Sequence, residues 1–272
     1  MKICITCGVQ QTATDNFCPI CNDERQYVGF DGQQWTSSSE MRATHSNSIE
    51  QLSDRVFSIW TQPKFAIGQR CLLIQSAGGN ILWDCISLLD GATISRIEEL
   101  GGISAIAISH PHYYSALVDW SRAFGDAPVL IHEDDREWVL RPDPCIHFWK
   151  GELHPLGPEM TLIRCGGHFE GAQVLHWNEG ILFTGDVIQV VPDRRWVSFM
   201  RSYPNYIPLP ASAVGRIVSA VEPFEFDKLY GAWPRFEILN DAHGAVRRSA
   251  ERYIKALSGD LGQRDFPESS AG

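Results

Sequence analysis

The chain has 272 residues, 44% of them hydrophobic, and a formal net charge of −10, enough for one large domain or two smaller ones. The acidic balance argues against a nucleic-acid partner, whose binding faces are basic, and no apolar run approaches the roughly 18 residues that span a membrane. The first residues, MKICITCG, lack the apolar core of a secretory signal, so a cytoplasmic protein is expected.

Residues 1–28 hold two cysteine knuckles, CITCG and CPICN, and residues 29–48 read as a polar connector ordered by Phe30 and Trp35 docking on the main body. Residues 49–259 then alternate strands and helices. RVFSIW and CLLIQSAGGNILWDC have strand character, with Ala77–Asn80 as a hairpin turn. SLLDGATISRIEELGG reads as a helix stopped by Gly101 and Gly102. ISAIAIS is a buried strand, SALVDWSRAFG a helix and APVLIHE a strand. The acidic run Glu133–Asp135 reads as a solvated helix start. TLIRCGG and the hairpin GAQVLHWNEGILFTGD follow, then the helix ASAVGRIVSAVEPF, the strand KLYGAW and the closing helix GAVRRSAERYIKAL. The pattern predicts a layered α/β fold with mixed sheets and a frayed polar tail over residues 260–272.

Cys4, Cys7, Cys18 and Cys21 are spaced C-x2-C-x10-C-x2-C. Each knuckle turns two thiolates toward one point, and two knuckles make a tetrahedral sulfur cage. A structural zinc ion is expected there, because so short a segment has little core without one. All-thiolate cages also accept iron, and CPIC resembles a rubredoxin knuckle. Cys71, Cys85, Cys145 and Cys165 lie among apolar neighbours and read as buried free thiols.

The second constellation begins with SHPHYYS. His110 and His112 sit one residue apart at a strand end, where extended backbone points both the same way. His168 follows a glycine pair, Asp186 stands just beyond the buried strand ILFTG, and His243 lies at a loop-to-helix junction before Gly244. Over residues 50–258 this order resembles the metallo-β-lactamase superfamily, whose signature is HxHxDH, a later His after Gly, a GD pair and a final His before Gly. Leu82-Trp83-Asp84 resembles the family's early aspartate, which supports the metal loop. The resemblance implies an αββα sandwich, preceded here by a small zinc ribbon.

The chain departs from that signature where Tyr114 and Ser115 replace the motif's Asp and fourth His. The resemblance leaves His110, His112 and His168 for one tight zinc ion, with Asp186 and His243 as a weak second site. It implies a hydrolase in which metal-bound hydroxide attacks an ester, thioester, lactone or similar small molecule. Asp186 would orient the water, His243 act as acid or base, and Tyr113 or Tyr114 donate to an oxyanion. Iron is also compatible with the site: in the related persulfide dioxygenases the ligands correspond to His110, His168 and Asp186, a two-His-one-carboxylate set. A non-catalytic metal-binding protein is the third reading. Residues 194–210 are aromatic and proline-rich, and Trp196, Phe199, Met200 and Tyr203, with Trp233 and Phe236 opposite, are expected to frame a small-molecule substrate. Ribbons pack on their own chain or on a neighbour, so a homo-oligomer stays open.

Overall fold

The computed structural model describes residues 1–14 and 16–261; the rest of the expected tail lies outside the described residues. Two sheets face each other. The first has seven strands in the order Ile146–Trp149, Val129–His132, Ala105–Ala107, Ile81–Trp83, Arg70–Ile74, Val56–Gln62 and Ser46–Ser53. Its first four strands run parallel and the others antiparallel. The second has six, in the order Leu153–Leu156, Met160–Arg164, Gln173–Trp177, Ile181–Gly185, Lys228–Gly231 and Glu237–Ile238.

Strands such as Arg70–Ile74 and Ile181–Gly185 are buried at every residue, which is what continuous apolar runs require when both sheet faces are covered. Between the sheets, Val56, Leu72, Trp83 and Trp149 meet Leu162, Leu175, Trp177 and Phe183. Full burial of such a side chain contributes roughly 1.5–3 kcal/mol. Helix Leu117–Ala123 covers the outer face of the first sheet through Leu117, Val118 and Trp120. Helices Ala211–Val221 and Ala242–Ser258 cover the second through Val214, Ile217, Ala245 and Val246. The layers are therefore αββα, as expected.

Helix Gly91–Glu99 begins four residues later than the sequence pattern suggests, because Asp90 caps it by accepting the Thr93 N–H at 2.8 Å. Residues 29–48 are more than a connector. Trp35–Thr36 completes a three-stranded sheet with Lys2–Cys4 and Gln10–Gln11. Ser38–Thr44 is helical behind a Ser37/Glu40 capping box. Trp35 packs against the core, but Phe30 stands fully in solvent.

The N-terminal segment docks on the outer side of the first sheet. Gln10 N–H donates to the Ser115 carbonyl at 3.0 Å, and the Ser87 hydroxyl to the Gly8 carbonyl at 2.7 Å. Arg70, from the first sheet, ties the two sheets together: Nε donates to Gly231 O at 3.0 Å and Nη1 to Glu237 Oε1 at 2.5 Å. Among the described residues no helix is long and apolar enough to cross a membrane.

Candidate metal centre

Loops that follow Ile81–Trp83 and Ala105–Ala107 in the first sheet and Met160–Arg164 and Ile181–Gly185 in the second meet along one edge. Asp84 follows the strand Ile81–Trp83 with a left-handed backbone, φ 63°, and its Oδ1 accepts the Ser109 N–H at 2.7 Å. From the other sheet, Gly185 approaches so closely, at φ 55°, that a Cβ there would lie 2.6 Å from Ser109 Oγ. Only glycine fits that backbone and that gap. Ser109 Oγ in turn lies 2.9 Å from His110 Nδ1.

His110, His112, His168 and Asp186 converge here, all buried, with one ligand atom from each within 4.8 Å of the others. His110 and His112 come together differently from the expectation. Pro111–Tyr113 forms a 3-10 turn rather than extended strand, because proline's fixed φ seeds a turn. The two rings meet edge to face at 5.0 Å. The His168 loop opens through Gly166 and Gly167, at φ 65° and 85°. His168 Nδ1 donates to Met200 O at 2.9 Å, which turns the Nε2 lone pair inward, 3.2 Å from His112 Nδ1.

The donor set fits a divalent ion. His110 Nε2 and Asp186 Oδ1 lie 2.9 Å apart, yet neither has a hydrogen-bond partner of acceptable geometry. Buried polar atoms are normally paired, so atoms that converge without pairing suit a shared ion. Zinc binds His N and carboxylate O at about 2.0–2.2 Å, which places tetrahedral ligand atoms about 3.5 Å from one another. Burial holds the His112 imidazole well below its ordinary pKa and pushes that of His168 down to about 4. Burial opposes ionisation of Asp186, but the adjacent His110 and His168 rings outweigh it and hold the carboxyl below its usual range. Neutral imidazoles at His112 and His168 and an ionised Asp186 are the forms a metal takes.

The four N-terminal cysteines form a second cluster. Cys4 and Cys21 Sγ lie 3.4 Å apart and Cys7 and Cys18 Sγ 3.7 Å, all four are buried, and none is disulfide-bonded. Tetrahedral Zn–S bonds of about 2.3 Å require similar spacing. Gln33 Nε2 donates to Cys4 Sγ at 3.1 Å. Cys71, Cys85, Cys145 and Cys165 are buried free thiols.

His243 does not join the centre. The loop after Lys228–Gly231 carries Ala232, Trp233 and Pro234, and the chain returns through Glu237–Ile238 to the opposite end of the sheet. There Ala242 N–H bonds to Asp227 O at 3.1 Å, and the His243 ring lies 5.0 Å from Phe226 with Nε2 3.5 Å from Glu222. His243 shares a cleft with Gly180, which precedes the strand that Asp186 follows. Five strand residues span roughly 16 Å, so His243 is neither ligand nor acid–base partner.

Tyr114 also faces away, its hydroxyl donating to Asp135 O at 3.3 Å. Tyr113 lies beside the cluster instead: its ring meets His110 at 4.7 Å, and its buried hydroxyl has no hydrogen-bond partner among the described residues. Ser115, at φ 36°, accepts from Gln69 Nε2 at 3.1 Å.

Tyr203 is the one expected framing residue whose ring contacts a cluster residue among those described, 6.0 Å from His168. Its hydroxyl lies 3.0 Å from Asp186 O and 3.1 Å from Ser198 O. Phe199 is instead buried in the core under the closing helix, edge-on to Tyr253. Trp196 lies under Arg252, whose Cζ is 3.5 Å from the ring, and Trp233 Nε1 donates to Ile67 O at 3.1 Å.

Three neighbours of the centre escape a reading of the sequence. The Phe169 ring contacts His110, His112 and His168, with centroids 4.9–5.6 Å apart. Asp135 lies in the acidic run expected to be solvated, yet it is buried and its Oδ1 accepts the Gly171 N–H at 2.7 Å. Arg25, just past the last knuckle, sets its Cζ 4.2 Å over the Phe169 ring. Adjacency of Phe169 to His168 was a signal; nothing local marked Arg25.

No family model matches the chain. An uncharacterized protein of Bacillus subtilis strain 168, YmaE, is 52% identical over 269 residues, 95% of this chain and 97% of that one. Solved structures are similar in fold at low identity. DIM-1 metallo-β-lactamase aligns with a TM-score of 0.60 at 15% identity, over 78% of this chain and 98% of that one. The metallo-β-lactamase FIM-1 from Pseudomonas aeruginosa, in its mono-zinc form, aligns with a TM-score of 0.59 at 14% identity, over 77% and 96%. The chain belongs to the family of B. subtilis YmaE, and its fold is that of the metallo-β-lactamases.

Proposed function

We propose that the protein is a metal-dependent hydrolase with one ion in the histidine centre and a structural zinc ion among the four cysteines. The observation that carries this reading is the convergence of three imidazoles and one carboxylate, with His110 Nε2 and Asp186 Oδ1 buried 2.9 Å apart without a well-formed hydrogen bond. A zinc ion there would acidify a water and polarise a carbonyl. His110, His112 and His168 would hold the ion. Asp186 would complete the set or accept the water's proton at Oδ1. The Tyr113 hydroxyl, which has no hydrogen-bond partner among the described residues, would be a donor to oxygen in the site. Met200 O and Ser109 Oγ orient His168 and His110. Low exposure of all four ligands excludes bulk water. Substrates would be small esters, thioesters or lactones.

With Tyr114, Ser115 and His243 turned elsewhere, a second ion would keep Asp186 alone of the ligands expected for it. A mononuclear iron oxygenase is the second reading. It is favoured by Asp186 Oδ1 lying 2.9 Å from His110 Nε2 and 3.9 Å from His168 Nε2, close enough for one ion to take all three.

Elemental analysis with a panel of esters, thioesters and lactones tests these readings. About two zinc ions per chain are expected, falling to about one in both Cys18→Ser and His168→Ala, with hydrolysis lost in the latter. Turnover unchanged in His168→Ala would overturn the hydrolase, and iron with iron-dependent oxygen consumption would select the oxygenase.

A further inference from the structure

A segment from the other metal cluster reaches the surroundings of the histidine centre through Arg25, which lies over Phe169. Asp23–Gln26 begins two residues after Cys21 and lies along the hairpin formed by Met200–Ser202 and Ile207–Pro208. Asn205 Nδ2 donates to Glu24 O at 2.9 Å and to Gln26 O at 2.8 Å, Ser202 Oγ donates to Arg25 O at 3.1 Å, and Arg201 Nε pairs with Glu24 Oε1 at 2.5 Å. That hairpin also holds His168 through Met200 O.

Held on both sides, Arg25 is driven inward. Its side chain is 8% exposed, and the guanidinium lies over Phe169, the ring shared by all three histidines. Nη1 is committed to Asp23 Oδ1 at 3.0 Å, while Nε is buried with no hydrogen-bond partner among the described residues. A guanidinium stays charged, and an unmade hydrogen bond from it is costly. Stacking on an aromatic face supports the cation but leaves the Nε–H at its edge unsatisfied. An oxyanion such as a carboxylate or phosphate would give that N–H its acceptor.

We propose that Asp23–Gln26 is a lid over the metal centre and that Arg25 is its specificity-determining residue, recognising a carboxylate or phosphate group of the ligand. The histidine ligands are 1% exposed and Asp186 4%, so a ligand reaches them only when a neighbouring segment moves, and return of Asp23–Gln26 would bring Arg25 onto its anionic group. The active site is thus built from both metal-binding regions. This rests on the histidine centre being the reaction site.

The test is calorimetric binding of acetate and of inorganic phosphate, with neutral acetamide as control, to metal-loaded wild type, Arg25→Ala and Arg25→Lys. Metal content and circular dichroism check that each variant is folded. The expected result is a loss of affinity for at least one anion of roughly 10- to 100-fold in Arg25→Ala, a smaller loss in Arg25→Lys, and no change for acetamide. Acetate affected alone assigns a carboxylate site, and phosphate alone a phosphate site. Equal affinity of folded wild type and Arg25→Ala for both anions overturns the proposal, as does failure of wild type to bind either. Anion binding that depends on Arg25 without any hydrolysis would retain the lid and discard the hydrolase. Hydrolysis indifferent to substrate charge and to Arg25 would do the reverse.

Discussion

Asp84 accepts the backbone N–H of Ser109 at 2.7 Å across the parallel strands Ile81–Trp83 and Ala105–Ala107. Through this contact a buried carboxyl in one loop sets the start of the loop that carries His110 and His112. Asp84 holds a left-handed backbone at φ 63°, which Asn and Asp tolerate better than alanine. Asp84→Ala therefore loses both an acceptor and a backbone preference, at about 2–4 kcal/mol, with weaker metal binding. Asp84→Asn keeps both and should lie much nearer wild type. Urea unfolding and metal titration of the two variants check this, and equal losses would refute the hydrogen-bond account.

Gly185 carries the other half of the same junction. A methyl group there meets Ser109 Oγ at 2.6 Å and Ser109 Cβ at 2.9 Å, so the serine must move, and His110 with it. We expect Gly185→Ala to cost about 2–4 kcal/mol and to lower metal content at the histidine centre while leaving the cysteine cluster loaded. Metal analysis separates the two. Loss confined to the cysteine cluster would contradict the packing argument.

Arg70 is 1% exposed and Glu237 11% at the side chain. Removing one partner leaves a buried charge unpaired, so Glu237→Ala is expected to destabilise by about 3–5 kcal/mol. The double variant Arg70→Met/Glu237→Leu removes both charges and keeps much of the volume, and it should cost less than Glu237→Ala. Thermal unfolding at pH 7 orders the variants; the reverse order would show that the pair itself is the stabilising element.

Burial pushes the Asp135 carboxyl up to about 7. Its unfolded value is near 3.9, so between about pH 4 and 7 the folded state binds the extra proton and stability falls as pH rises. Below pH 4 both states are protonated, and the penalty on the ionised form is absent. Asp135→Asn keeps an acceptor for the Gly171 N–H without ionising. It should exceed wild type by about 1–3 kcal/mol at pH 8, with the gap closing as pH falls toward 4. Denaturant unfolding of both proteins across that range measures the difference. A gap that stays constant with pH would exclude Asp135 as its source.

The features legible in the sequence are those written locally. The C-x2-C knuckles, the two histidines around Pro111, Gly167-His168 and Gly185-Asp186 each need only a turn of given geometry, and short-range spacing specifies it. Strand and helix order followed for the same reason, since apolar periodicity is a local property. Tertiary structure decided which residues meet. His243 lay beside a suggestive glycine, but the antiparallel return through Glu237–Ile238 carried it to the far end of the sheet. Tyr113 rather than Tyr114 turned to His110 because Pro111–Tyr113 closed a 3-10 turn. Arg25 and Phe169 are 144 positions apart, yet they stack at 4.2 Å because the hairpin around Asn205 holds the segment over the centre. Such a contact depends on how separate layers dock, and no spacing within one segment encodes it.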